Sequence, residues 1–157
     1  MNPYIDEDLA VLAGHVRRFA DERVAPGFQE RDITRVLDRG LMREMGALGY
    51  IAPELPEQYG GLGLGCLAAG LIHEEISRAD LSMGYVNLLG SLNGQILSQH
   101  GRPEIVDPWL TRLTQGDALV AIALTEPGGG SDAANLRLNV ERVGDDYVIN
   151  GEKTSIS

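Results

Sequence analysis

Apolar residues at three- and four-residue spacings run through the first two thirds of the chain. Leu9, Leu12, Ala13, Val16, Phe19 and Ala20 form one stripe, which predicts an amphipathic helix from about residue 5, capped by Asp6 or Asp8 and stopped by Pro26-Gly27. A second helix is predicted from about Asp32 to Leu48, burying Ile33, Val36, Leu37, Leu41, Met45 and Leu48, with Gly49 placed to end it. The period then fails, and Pro53 to Gly65, dense in Pro and Gly, reads as a loop. A third helix is expected from about Leu67 to Arg78 and a fourth after an Asp80 cap. The fourth should turn Val86, Leu89, Leu92, Ile96 and Leu97 inward and stop at Gly101; apolar around much of its circumference, it is expected to lie centrally. A shorter helix over about Pro103 to Gln115 should bury Trp109, Leu110 and Leu113. It is either interrupted by Pro108 or begun at an Asp107 cap with Pro108 in its first turn.

After Gly116-Asp117 the pattern becomes strand-like. Leu119 to Leu124 is a short apolar run, and Leu136 to Val143 alternates. Gly144-Asp145-Asp146 turns the chain into Tyr147-Val148-Ile149, Asn150-Gly151 signals a hairpin, and a further strand is expected from Glu152. The fold class is therefore α+β: an all-helical domain over residues 1–116, then over 117–157 the first strands of an incomplete, β-barrel-like middle domain. Two or three strands do not close a sheet.

Composition narrows the function. The 157 residues are 43% hydrophobic and 23% charged, as in ordinary globular proteins. Thirteen basic against 23 acidic residues give a net charge of −10, which disfavours a nucleic-acid backbone as partner. No apolar run approaches the ~20 residues of a membrane-crossing helix. Asp6, Glu7 and Asp8 are unlike a targeting peptide, so a cytoplasmic location is expected. Cys66 is the only cysteine, which leaves no intrachain disulfide and reads as a small buried residue. His15, His73 and His100 have no metal-ligand spacing, and Glu74 and Glu75 read as a solvated helix face.

The most informative segment is Leu124-Thr125-Glu126-Pro127-Gly128-Gly129-Gly130-Ser131-Asp132. Successive glycines allow close backbone approach and turn N–H groups to one side, which suits a phosphate, and Thr125 and Ser131 add hydroxyls. A loop whose glycines merely turn the chain is the competing reading. No Lys follows as in a Walker loop, and no helix follows as in a dinucleotide-binding unit.

Ala123-Leu124-Thr125-Glu126-Pro127 with Gly130-Ser131-Asp132 resembles the signature of the acyl-CoA dehydrogenase flavoproteins. Pro56-Glu57-Gln58-Tyr59-Gly60-Gly61-Leu62-Gly63 resembles a loop between early helices of that family, and Asn150-Gly151-Glu152-Lys153 the hairpin entering its flavin-contacting strand. The resemblance spans nearly the whole chain. It implies FAD as cofactor and α,β-dehydrogenation of an acyl-CoA thioester, as in fatty acid metabolism, with hydride passing to the flavin N5.

It further implies that Ile122, Leu124 and Thr125 run along the isoalloxazine, that Gly130 and Ser131 contact the pyrophosphate, and that Ser131 also touches the acyl-CoA. Ser155 and Ser157 would flank the reactive edge, Ser155 standing where the family usually has tryptophan and Ser157 where threonine is common. The helix from Asp80 to His100 would form one wall of the acyl pocket. The family's glutamate base lies in a later helical domain, so no catalytic residue is assigned here, and Glu126 is read as structural. An electron-transfer acceptor and a homo-oligomer are the implied partners. The alternatives are a flavin-dependent monooxygenase or oxidase on the same scaffold and a non-catalytic interaction module.

Overall fold

The structure, a computed structural model, describes residues 4–156. They divide after Val120 into two compact units. The first is helical, and its helix starts follow from side-chain caps. Asp6 Oδ1 accepts the Leu9 N–H at 2.9 Å and opens α1, Glu7–Phe19. The Leu9 to Ala20 stripe faces inward as its spacing predicts, with Val16, Phe19 and Ala20 buried. Pro26-Gly27 does not stop this helical path. The chain widens into a π-turn at Ala20–Val24, tightens to a 3₁₀ turn at Ala25–Gly27, and runs on as α2, Phe28–Thr34. The missing N–H of Pro26 is absorbed by these changes of hydrogen-bond register.

The single helix expected over 32–48 is two. Arg35, at φ 55°, takes the left-handed conformation and ends α2. Asp38 Oδ1 then accepts the Leu41 N–H at 2.9 Å and starts α3, Arg39–Ala47. The break turns Ile33, Val36 and Leu48 out to solvent, while Leu41, Met42 and Met45 are buried. Gly49, at φ 72°, follows the end of α3 as expected. The loop from Pro53 to Gly65 is loop throughout apart from a 3₁₀ turn at Glu57–Tyr59, and it packs its Leu55 into the core.

Helices α4, Cys66–Ala79, and α5, Leu81–His100, meet at Asp80, whose Oδ1 accepts the N–H groups of Ser82 and Met83. Asp80 Oδ2 accepts from Arg31 Nε at 2.8 Å, and Arg31 also donates to the Val24 carbonyl, so one guanidinium joins α2 and the π-turn to the α5 cap. The buried face of α5 is not the one its leucines mark. Gly84, Asn87, Gly90, Ser91, Asn93 and Gly94 are buried with Met83 and Val86, whereas Leu81, Tyr85, Leu88, Leu92 and Ile96 are exposed.

The reason is what α5 packs against. Residues 50–55 are irregular, and their backbone needs donors. Asn87 Nδ2 donates to the Tyr50 carbonyl at 2.7 Å, Asn93 Nδ2 to the Val120 carbonyl at 2.9 Å, and the Ser91 hydroxyl to Glu54 at 2.7 Å. A Cβ at Gly90 or Gly94 would lie 2.9 Å from Ile51 or Leu55.

Helix α6, Pro103–Thr114, begins at Pro103 and carries Pro108 in its interior. Leu110 and Leu113 are buried, but Trp109 is half exposed, stacked under the Arg112 guanidinium at 4.7 Å. Two further residues differ from expectation. Cys66 is exposed at the first turn of α4. Glu75 is buried, held by Arg17 at 2.5 and 3.0 Å and by Arg78 at 3.2 Å, which keeps its carboxyl below the usual carboxylate range despite burial. The core joins α1, α3, α4, α5 and α6 through Val16, Met42, Met45, Ile51, Ile72, Ile76, Met83 and Leu110.

Among its described residues the second unit contains one antiparallel hairpin, β1 (Asn139–Val143) and β2 (Asp146–Asn150), with Val140 opposite Ile149. Gly144, at φ 65°, makes the two-residue turn with Asp145. Both strands are exposed along their length. Leu119 to Leu124 is not a strand, and no strand follows Gly151 among the described residues. The carbonyls of Leu124 and Thr125 are taken by Lys153 and Thr154 rather than by a continuous ladder. Gly151 sits where a Cβ would come within 2.8 Å of the Leu138 Cα, so the segment after it lies against residue 138.

Candidate functional site: the glycine loop

The loop opens with a tight turn. Glu126 and Gly129 exchange two backbone hydrogen bonds of 3.0 Å around Pro127-Gly128. Neither left-handed φ nor crowding calls for glycine at 128 and 129, because a Cβ at either would meet no protein atom. At Gly130 a Cβ would stand 3.2 Å from the Thr125 methyl. The glycines thus leave open room beside backbone donors.

Glu126 organises the segment. Its side chain is 7% exposed, and it accepts the N–H groups of Arg137 and Leu138 at 2.7 and 2.9 Å and the Lys153 ammonium at 3.0 Å. The two backbone donors, chiefly, and the Lys153 charge hold its carboxyl down at about 2. A carboxylate so occupied is no proton acceptor at neutral pH, which agrees with a structural role.

The donors that remain have a common character. Among the described residues, the N–H groups of Gly128, Gly130 and Ser131 and the hydroxyls of Thr125 and Ser131 meet no protein acceptor. Thr125 and Gly130 are half-buried, while Ile122, Leu124, Ser131 and Ser155 are exposed. Ser155 holds φ 54°, and Ser157 lies outside the described residues. A cleft of about 530 Å³ adjoins the loop, lined by Glu126, Gly128, Gly129, Asp132, Asn135 and Arg137, with Ala134 and Leu136 completing it. It does not include Ile122, Leu124, Thr125, Gly130, Ser131 or Ser155. Free N–H groups and hydroxyls beside a Glu126 carboxylate that is already satisfied are a donor set suited to a pyrophosphate.

Residues 6–117 match the model of the acyl-CoA dehydrogenase N-terminal domain. The chain belongs to the acyl-CoA dehydrogenase family. It is 31% identical to (2S)-methylsuccinyl-CoA dehydrogenase of Cereibacter sphaeroides over 98% of this chain and 28% of that protein. It is 37% identical to benzylmalonyl-CoA dehydrogenase of Aromatoleum aromaticum over 89% of this chain and 37% of that one. A glutaryl-CoA dehydrogenase from Mycobacterium smegmatis, solved in complex with FADH2, superposes with a TM-score of 0.87 at 33% identity, over 96% of this chain and 39% of that one. The chain therefore spans under two fifths of the length of these relatives.

The sequence alone assigns no role to Lys153, Arg137 or Leu138. The available signal was a lysine following a strong turn, in a chain with a glutamate inside its most distinctive motif. Among the described residues no group of three or more His, Cys, Asp or Glu is placed to hold a metal, and no helix is long and apolar enough to cross a membrane.

Proposed function

We propose that this chain is the flavin-binding N-terminal portion of an FAD-dependent acyl-CoA dehydrogenase that introduces an α,β double bond into an acyl-CoA thioester. One observation carries the reading: the unpartnered donors at Thr125, Gly128, Gly130 and Ser131, beside a glutamate already neutralised. Gly130 and Ser131 would hold the FAD pyrophosphate, with Ser131 also reaching the acyl-CoA. Ile122, Leu124 and Thr125 would lie along the flavin ring, and Ser155 and Ser157 beside its reactive edge. When bound, FAD supplies the two-electron acceptor. Residues 117–157 would begin the β-rich middle domain.

The exposed apolar face of α5, from Leu81 through Tyr85, Leu88 and Leu92 to Ile96, would line the acyl chain. The family base is assigned to no residue here. An electron-transfer acceptor, a homo-oligomeric assembly and a cytoplasmic location complete the proposal.

The test is titration of the chain into FAD, followed by flavin fluorescence. Saturable but weak quenching is expected, diminished by Ser131→Ala, with no acyl-CoA-dependent bleaching of the flavin. FAD fluorescence that does not respond to the chain overturns flavin binding by these residues. Bleaching by an acyl-CoA overturns the assignment of the base elsewhere.

A further inference from the structure

Pairing with Glu126 accounts for only part of Lys153. The same Nζ donates to the Leu124 carbonyl at 2.8 Å, and the next backbone N–H, that of Thr154, donates to the Thr125 carbonyl at 2.9 Å. Both carbonyls of the Leu124-Thr125 pair are therefore occupied by residues 153–154. The N–H groups of that pair meet no acceptor among the described residues. The backbone there offers donors while its acceptors are tied back.

We propose that Lys153 is a positioning residue for the flavin: by holding the Leu124 carbonyl it keeps the Leu124-Thr125 backbone a donor-only edge, which favours the reduced, electron-rich flavin over the oxidised one. This rests on the reading of residues 122–131 as flavin contacts. The charge of Lys153 is not the agent, because Glu126 Oε1 lies 3.0 Å from the same nitrogen and the two side chains, 19% and 7% exposed, cancel one another. What Lys153 supplies is the placement of one carbonyl dipole. Freed, that carbonyl is an acceptor able to turn toward the ring, and it opposes the added electron density of the reduced form more than it opposes the oxidised form.

The measurement is the ratio of the dissociation constants of oxidised FAD and dithionite-reduced FAD, taken anaerobically at one pH on the chain and its variants. Lys153→Met, which keeps the aliphatic stem but loses the donors, should weaken reduced FAD about tenfold more than oxidised FAD both alone and in a Glu126→Gln background, where loss of the lysine uncovers no carboxylate charge. For a two-electron couple that corresponds to a potential about 30 mV more negative. Lys153→Arg, which can still donate to the carbonyl, should restore the ratio. Glu126→Gln leaves Lys153 able to hold Leu124 and uncovers its positive charge, so by itself it should not weaken reduced FAD more than oxidised FAD.

Equal weakening of both forms by Lys153→Met, or no change, overturns the inference and leaves the flavin reading standing. A Glu126→Gln chain that itself weakens reduced FAD tenfold more than oxidised FAD also overturns it; if circular dichroism shows Lys153→Met unfolded, that arm decides together with Lys153→Arg, which must keep the wild-type ratio. A wild-type chain that binds neither form overturns the flavin reading itself, and this inference with it.

Discussion

Two glycines in adjacent helices should respond to the same substitution with opposite signs. Gly70 lies on the exposed side of α4, and a Cβ there would meet nothing within 4 Å. Gly70→Ala should therefore stabilise the fold by the helix-propensity difference, about 0.5–1 kcal/mol. Gly84, in the first turns of α5, is buried against α4, where a Cβ would come within 3.0 Å of the Ser77 Cβ and 3.1 Å of its Cα, besides meeting its hydroxyl. The hydroxyl can turn aside only by giving up its contact with the His73 ring, and the other two atoms move only if the helices separate. Overpacking of that kind costs about 1–3 kcal/mol. Subtracting the same propensity gain leaves Gly84→Ala destabilising by about 1 kcal/mol. Urea unfolding followed by circular dichroism at 222 nm gives both values on one chain, with the denaturant slope as the check that only stability changed. Adding Ser77→Ala to Gly84→Ala should recover part of the loss, because the hydroxyl goes but the Cβ contact stays. Equal stabilisation by Gly70→Ala and Gly84→Ala would refute the close α4–α5 contact and the orientation of α5 that depends on it.

The same unfolding assay tests the inverted face of α5. Asn87→Ala should cost about 1–3 kcal/mol, because it leaves the Tyr50 carbonyl without its donor, whereas Leu92→Gln, 47% exposed, should cost less than about 1 kcal/mol. The reverse order would mean the leucines face the core. Arg31→Met should cost about 3 kcal/mol, since it strands the Asp80 carboxylate, whose side chain is 2% exposed; the Ser82 and Met83 N–H groups still serve that carboxylate and keep the loss at the low end. Acid should loosen residues 121–157 through Glu126. Its carboxyl is lowered from 4.5 to about 2, so its contribution is complete above about pH 4.5 and disappears as pH falls toward 2. Hydrogen exchange at the Arg137 and Leu138 amides should accelerate over that window beyond the intrinsic pH trend, and a Glu126→Gln chain should show no such step.

Helix existence was legible because caps and periodicity agreed. Asp6, Asp38 and Asp80 each accept the N–H groups that their positions before apolar runs imply, and Asp38, read with Leu41, would have marked the break between α2 and α3. Hydrophobicity misled where the neighbour was not another apolar helix. The inner face of α5 meets irregular backbone at 50–55, and there glycine and asparagine do what leucine cannot: they approach closely and donate. Trp109 reads as core on size alone, yet its ring is met at 4.7 Å by an arginine three residues on.

In the second unit the motif residues were legible one by one, but their cross-connections were not. Nothing local in Asn150-Gly151-Glu152-Lys153 says that it returns to residues 124–126 instead of completing a hairpin. That return passes Leu138 at Gly151, which has no Cβ to strike it, and brings Lys153 to a Glu126 that already accepts from residues 137 and 138. Those two donors leave about two of the four acceptor positions of the carboxylate open; Lys153 takes one and, with donors to spare, takes the Leu124 carbonyl as well. The donor character of the candidate flavin edge is thus set by Lys153 and Thr154, residues that lie outside the recognisable glycine motif.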